Sequence, residues 1–144
     1  MFRNILFDLD NTIYNYDYSH KTALNFVLET ISKDNNINLE LVKNTFNKDK
    51  NKFQNVCYNN ASSHNKFIQL KKLFESLNLD LKKLDTIYQI YLNKFNESLI
   101  IYPYLIDFLK LCKKNKINMY ILTNNTCQEQ ISRLNKMNII NVVI

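Results

Sequence analysis

Two hydrophobic patterns alternate along this chain: short solid apolar runs, and longer stretches whose apolar residues recur at helical spacing. Residues 4–8 (NILFD) are a solid run closed by an acid, the pattern of a buried parallel strand. From Ser19, which suits an N-cap, the apolar face Ala23, Leu24, Val27, Leu28 and Ile31 predicts a helix over 19–33. Asn-rich connections then separate helical stretches around 38–48 and 63–77, the second carried by Phe67, Leu70, Leu73, Phe74 and Leu77. A fourth stripe over 81–96 runs through Leu81, Leu84, Ile87, Tyr88, Tyr91, Leu92 and Phe95. Stripes of this width are core-facing surfaces rather than binding sites.

The pattern changes at Pro103, which suits the first turn of a helix over about 104–115. Residues 117–123 (INMYILT) read as a second strand. Thr126 and Glu129 have the spacing of a capping box, opening a helix to about 137. The closing IINVVI, residues 139–144, reads as a third strand. Strands alternating with helices indicate an α/β fold with a parallel sheet, strands in the order 1-2-3, interrupted after the first strand by an all-helical module. Residues 1–14 and 99–144 are expected to form the sheet domain and 15–98 the helical one.

Composition narrows this picture. A chain of 144 residues holds one domain or one domain with a modest insertion, and 46% hydrophobic residues allow a real core. No apolar run is long enough to span a membrane and no signal peptide precedes the first strand, so a cytoplasmic protein without membrane attachment is expected. Three cysteines, Cys57, Cys112 and Cys127, are too scattered for a disulfide framework, and His20 and His64 make no zinc spacing. The net charge of +6 comes from lysine, with only Arg3 and Arg133 as arginines; glycine is absent. Lys, Asn, Ile and Tyr share AT-rich codons, so the excess reads as nucleotide bias. No nucleic-acid partner is expected.

The chemistry lies at Phe7-Asp8-Leu9-Asp10-Asn11-Thr12. Carboxylates at i and i+2 after an apolar strand share one side, at the carboxyl end where open α/β sheets bind ligands. LFDLDNTIY resembles the first motif of the haloacid dehalogenase (HAD) superfamily, hhhhDxDxT, at every required position. Ile121-Leu122-Thr123 followed by Asn124 resembles its second motif. Thr123-Asn124-Asn125 with Gln130 and Leu134 is similar to the TNG…Q…L pattern of HAD phosphatases, with Asn125 in the glycine's place and expected to tolerate its left-handed conformation. The resemblance covers essentially the whole chain and implies a Rossmann-like HAD core with a helical cap inserted at 15–98.

It further implies a Mg²⁺-dependent phosphohydrolase. Asp8 would be the nucleophile, forming an aspartyl-phosphate. Asp10 would protonate the leaving alkoxide and later deprotonate the attacking water. Thr12 would hold Asp10 by hydrogen bonding, while Thr123 and the N–H groups after it, beginning with Asn124, would bind the phosphoryl group. Mg²⁺ would be held by the Asp8 carboxylate and the Asp10 main-chain carbonyl. FDLDNTIY with a helical cap looks most like the nucleotidase-type members, so a small phosphomonoester such as a nucleoside monophosphate is the expected substrate. Tyr14, Tyr16 and Tyr18 offer rings to stack a base, set against packing at the cap hinge.

The family also needs a lysine after its third strand and acids after its fourth. Lys136 and Asp107 are misplaced for these roles. A truncated enzyme is one expectation, and an inactive HAD module acting as a binding or interaction protein is the alternative. With no fourth strand, residues 4–8 would present an apolar edge prone to self-association.

Overall fold

A computed structural model describes residues 3–58 and 61–143. The chain divides into two compact units, Met1–His20 with Asn96–Ile144, and Lys21–Phe95. The elements in order are β1 (Asn4–Phe7), α1 (Tyr16–Asn35), α2 (Leu39–Val56), α3 (Lys66–Ser76), α4 (Leu84–Glu97), α5 (Leu105–Lys114), β2 (Asn118–Ile121), α6 (Cys127–Lys136) and α7 (Ile140–Val143). Short 3-10 turns at Ala61–His64 and Leu81–Lys83 precede α3 and α4.

In the helical unit the sequence stripes become core. Ala23, Val27, Leu28 and Ile31 of α1 are buried, as are Leu70, Leu73 and Phe74 of α3 and Leu84, Ile87, Tyr91 and Phe95 of α4. Each such large apolar side chain contributes roughly 1.5–3 kcal/mol by leaving water. Leu81, expected in the α4 stripe, is exposed because it lies in the 3-10 turn before that helix.

Asparagine shapes both ends of the helices. Asn15, Asn38 and Asn65 each accept a hydrogen bond from the main-chain N–H three residues on, at Tyr18, Leu41 and Ile68. The first of these displaces Ser19 from its expected capping role. Ser19 is buried inside α1, its hydroxyl donating to the Asn15 and Ser98 carbonyls. At the other ends, Asn36, Asn78, Lys116 and Asn138 take left-handed φ values of 53°, 51°, 55° and 57°. Each is followed by an N–H that bonds back five residues: Ile37 to Ser32, Leu79 to Phe74, Ile117 to Cys112 and Ile139 to Leu134. This is the Schellman helix stop, built without its usual glycine. Asn125, by contrast, is not among the left-handed residues.

In the other unit β1 and β2 pair in parallel, with Asn4 opposite Asn118 and Phe7 opposite Ile121. Buried and exposed positions alternate along β1, with Phe7 buried and Leu6 63% exposed. The strand therefore covers one face rather than being buried on both. Phe7 meets Phe108 of α5 edge-on, with ring centroids 6.2 Å apart. The third strand expected over 139–144 is not formed within the described residues. The stop at Asn138 turns the chain back, Ile139 is buried, and Ile140–Val143 coil as α7. Ile144 lies outside the described residues. Short apolar runs do not distinguish strand from buried helix, and here helical packing beside α5, α6 and β2 prevailed.

Candidate active site

Pairing continues to the last residue before the acids, where the Phe7 carbonyl accepts from the Leu122 N–H at 2.8 Å. The register thus brings Asp8 and Thr123 to the same carboxyl end of the sheet. Beyond Phe7 the chain keeps its alternation: Leu9 is fully buried, Asp8 is exposed and Asp10 half-buried. It then turns tightly, with the Thr12 and Ile13 N–H groups donating to the Leu9 carbonyl at 3.2 and 2.9 Å, and Asn11 in left-handed conformation at φ 59°. Asn11 and Asp17 clasp each other, Nδ2 to Oδ2 at 3.1 Å and Asp17 N–H to Oδ1 at 3.3 Å. Tyr14 bridges antiparallel to Ile101, so the segments entering and leaving the helical insertion are tied together.

The Asp10 carboxylate is the centre of a network. Its Oδ1 accepts from the Tyr14 hydroxyl, from Gln130 Nε2 at 3.3 Å and from Arg133 Nη1 at 3.3 Å. Gln130 Nε2 also donates to the Thr123 hydroxyl at 3.0 Å, linking the two motifs through one buried amide. Its Oε1 accepts from Arg133 Nη1 at 3.2 Å, which fixes the orientation of the amide. The Asn125 N–H reaches the Thr123 Oγ1 at 3.2 Å. With both lone pairs of Thr123 receiving, its O–H proton is left as a donor that an anionic oxygen could accept.

Arg133 holds the network from beneath, its side chain only 3% exposed. It pairs with Glu129 Oε2 at 2.8 Å as well as with Asp10, donates to the Tyr14 oxygen at 3.1 Å, and lies over the Tyr16 ring at 5.8 Å. Burial pushes the Tyr14 phenol far up, with the Arg133 cation opposing and Asp10 adding to the rise. The Tyr16 phenol is pushed up to about 12, again chiefly by burial. Both remain donors at any ordinary pH.

Several expected roles change. The carboxylate partners of Asp10 among the described residues are Tyr14, Gln130 and Arg133; Thr12 is exposed and is not one of them. Tyr14 is fully buried, which removes it as a base-stacking ring, while Tyr16 stacks on His20 at 5.6 Å and Tyr18 stands 49% exposed. Asn124 is exposed beside Thr123. Thr126 makes no side-chain cap bond; the Asn125 side chain accepts from its N–H instead, and Glu129 serves Arg133 rather than a capping box. Lys136 and Asp107 are exposed on α6 and α5. Arg133 was not expected at the site, although a signal existed: it is one of two arginines in a chain otherwise given to lysine, and stands four residues after Glu129.

Among the described residues no group of three or more His, Cys, Asp or Glu side chains could hold a metal. Magnesium asks less, since it keeps several waters and takes one or two carboxylates plus substrate phosphate. The exposed Asp8 carboxylate meets that need, whereas the Asp10 carboxylate is engaged and could contribute only its main chain. A cavity of about 650 Å³ beside β2 shares Thr123 and Gln130 with the site, but most of its other walls, including Met119, Ile131 and Leu134, are apolar and unsuited to phosphate.

The family model for haloacid dehalogenase-like hydrolases matches residues 2–141. Among solved structures, the fold is similar to a HAD hydrolase of Bacillus subtilis, YfnB, crystallised with magnesium, at TM-score 0.64 and 18% identity. A HAD phosphatase from Thermococcus onnurineus is similar at TM-score 0.67 and 21% identity. The alignments cover 98% and 99% of this chain but 62% and 59% of those chains, so it spans about three-fifths of their length. No curated protein matches its sequence significantly.

Proposed function

Because this chain belongs to the haloacid dehalogenase-like hydrolases, we infer that its site serves the hydrolysis of a small phosphomonoester through covalent attack by Asp8. The observation that carries this reading is the Gln130 amide joining Asp10 to Thr123 at one end of the sheet, 3.3 and 3.0 Å away. That link, with the exposed Asp8 at the same end of the sheet, supports reading these residues as one site.

The roles follow from accessibility. Asp8, exposed and ahead of the buried Leu9, is the carboxylate able to approach phosphorus. Asp10 gives its proton to the departing alkoxide and takes one from the water that cleaves the acyl phosphate. Thr123 donates to a phosphoryl oxygen, with the exposed Asn124 at the rim. Asp8 and the Asp10 main-chain carbonyl would hold Mg²⁺, which when bound neutralises charge between carboxylate and phosphate. A nucleoside monophosphate is the preferred substrate class, supported by the DxDNTxY form of the first motif. Thr12 lies on the turn that follows Asp10, where its N–H donates to the Leu9 carbonyl.

The test is acid-quenched incubation with Mg²⁺ and radiolabelled phosphomonoesters, nucleoside monophosphates included. Label should appear on the peptide containing Asp8 and vanish in Asp8→Asn. Hydrolysis that survives Asp8→Asn would overturn the covalent mechanism. Phosphate binding without turnover in the unsubstituted chain would favour the binding-module reading.

A further inference from the structure

Every hydrogen bond made to the Asp10 carboxylate by the described residues lands on one oxygen, Oδ1. All three groups there are donors. Arg133 carries no acceptor, Gln130 presents its amide nitrogen, and the Tyr14 hydroxyl donates its proton to this oxygen. An oxygen receiving three donors is a poor place for a proton. The carboxylate is nevertheless 27% exposed, so it is not sealed from the site.

We propose that Arg133, with Tyr14, is a positioning residue that pins Oδ1 of Asp10 and so reserves Oδ2 as the oxygen that carries the proton to the leaving group. This rests on the reading of Asp10 as acid and base. In the step concerned an Asp8 oxygen bonds to phosphorus, the ester P–O bond breaks, and the Oδ2 proton passes to the departing alkoxide. Without the pin the carboxyl group rotates about its χ2 bond, which is broad and roughly two-fold, and presents its proton correctly only part of the time.

Arginine is needed rather than any cation. Its planar fork reaches Asp10 and Tyr14 through Nη1 and Glu129 through Nη2, at 3.3, 3.1 and 2.8 Å. A lysine ammonium is a single point and cannot hold that plane. Glu129 in turn keeps the guanidinium from swinging towards solvent.

The experiment compares two esters: benzyl phosphate, whose leaving group needs a proton, and dinitrophenyl phosphate, whose leaving group does not. Asp10→Asn should lose about 10²–10⁴-fold in kcat on the first ester and far less on the second. Tyr14→Phe and Arg133→Met should show the same selectivity at smaller size, and Arg133→Lys should restore folding without restoring the benzyl rate. Equal losses on both esters in the Tyr14 and Arg133 variants, with Asp10→Asn still selective, would overturn the positioning role alone. An unselective Asp10→Asn would instead overturn the acid–base reading beneath it. Crystal structures decide independently of turnover. In Arg133→Lys and Tyr14→Phe the Asp10 carboxylate should be found rotated or spread over two orientations. An unmoved carboxylate in both would overturn the proposal.

Discussion

Replacing Lys116 with glycine should make this protein more stable. Lys116 sits at φ 55° after α5, where the Ile117 N–H must reach the Cys112 carbonyl at 3.0 Å to close the helix. A side chain in that region crowds its own carbonyl, at a cost of roughly 1–2 kcal/mol. Glycine removes the crowding but gives the unfolded chain extra freedom worth about 0.5–1 kcal/mol. Lys116 is exposed, so little packing is lost. The net expectation is a gain of about 0.5–1 kcal/mol, which for a chain near this size raises Tm by roughly 1–4 °C. A charge effect is the competing explanation, because Lys113 and Lys114 lie close by. Lys116→Ala separates the two, since it removes the charge and keeps the Cβ. Urea titrations of both variants should show glycine stabilising and alanine not. Equal stabilisation by both, or destabilisation by glycine, would refute the backbone argument. Asn138→Gly should gain less, because asparagine already tolerates the conformation.

Asp8→Asn should abolish turnover while shifting stability by less than about 0.5 kcal/mol, as expected for an exposed side chain; a large fall in Tm would assign Asp8 a structural role. Arg133→Met should cost about 3–5 kcal/mol in chemical denaturation by leaving the Glu129 and Asp10 carboxylates without their cation, and a loss below about 1 kcal/mol would contradict the network described above. The phenols of Tyr14 and Tyr16 are raised from their ordinary value of 10.0, Tyr16 to about 12, so the unfolded chain releases these protons first. Their contribution to stability is fully present below pH 10 and falls as pH rises towards 12 and beyond. Tyrosinate absorbance should therefore rise in a second step coinciding with loss of helical signal. Complete ionisation near pH 10 with the fold intact would disprove this.

The helical unit was legible because its stripes are long and periodic, and Ala23 to Ile31 and Leu84 to Phe95 are buried as that period requires. The first motif was legible because two acids flanking Leu9 after an apolar run dictate alternation. What the sequence hid were contacts set by long-range packing. Nothing local says that Tyr14 will turn inward onto Asp10, or that Arg133, more than a hundred positions away, will meet both. IINVVI misled because six apolar-rich residues satisfy strand and helix alike. Codon bias explains an asparagine excess in bulk, yet at Asn15, Asn36, Asn38, Asn65, Asn78 and Asn138 the residue starts or stops a helix. Glycine, absent from the whole chain, is replaced there by the residue best able to imitate it.

The pairing of Asn4 with Asn118 also governs when the site comes into being. The ribosome makes β1 first, but its partner follows only after an intervening stretch that separates bonded residues by 114 positions. Closing a loop that long costs about 4 kcal/mol of chain entropy before any constant term. Local helices form faster than such a ladder. During synthesis Asp8 therefore waits beside an apolar, unpaired strand while the helical unit takes shape, and the Asp8 carboxylate and the Thr123 hydroxyl come to one end of the sheet only after β2 is made. In pulsed hydrogen exchange, the amides of α1 to α4 should gain protection before those of Asn118–Ile121. The interval between the two is when the growing chain has most need of a chaperone.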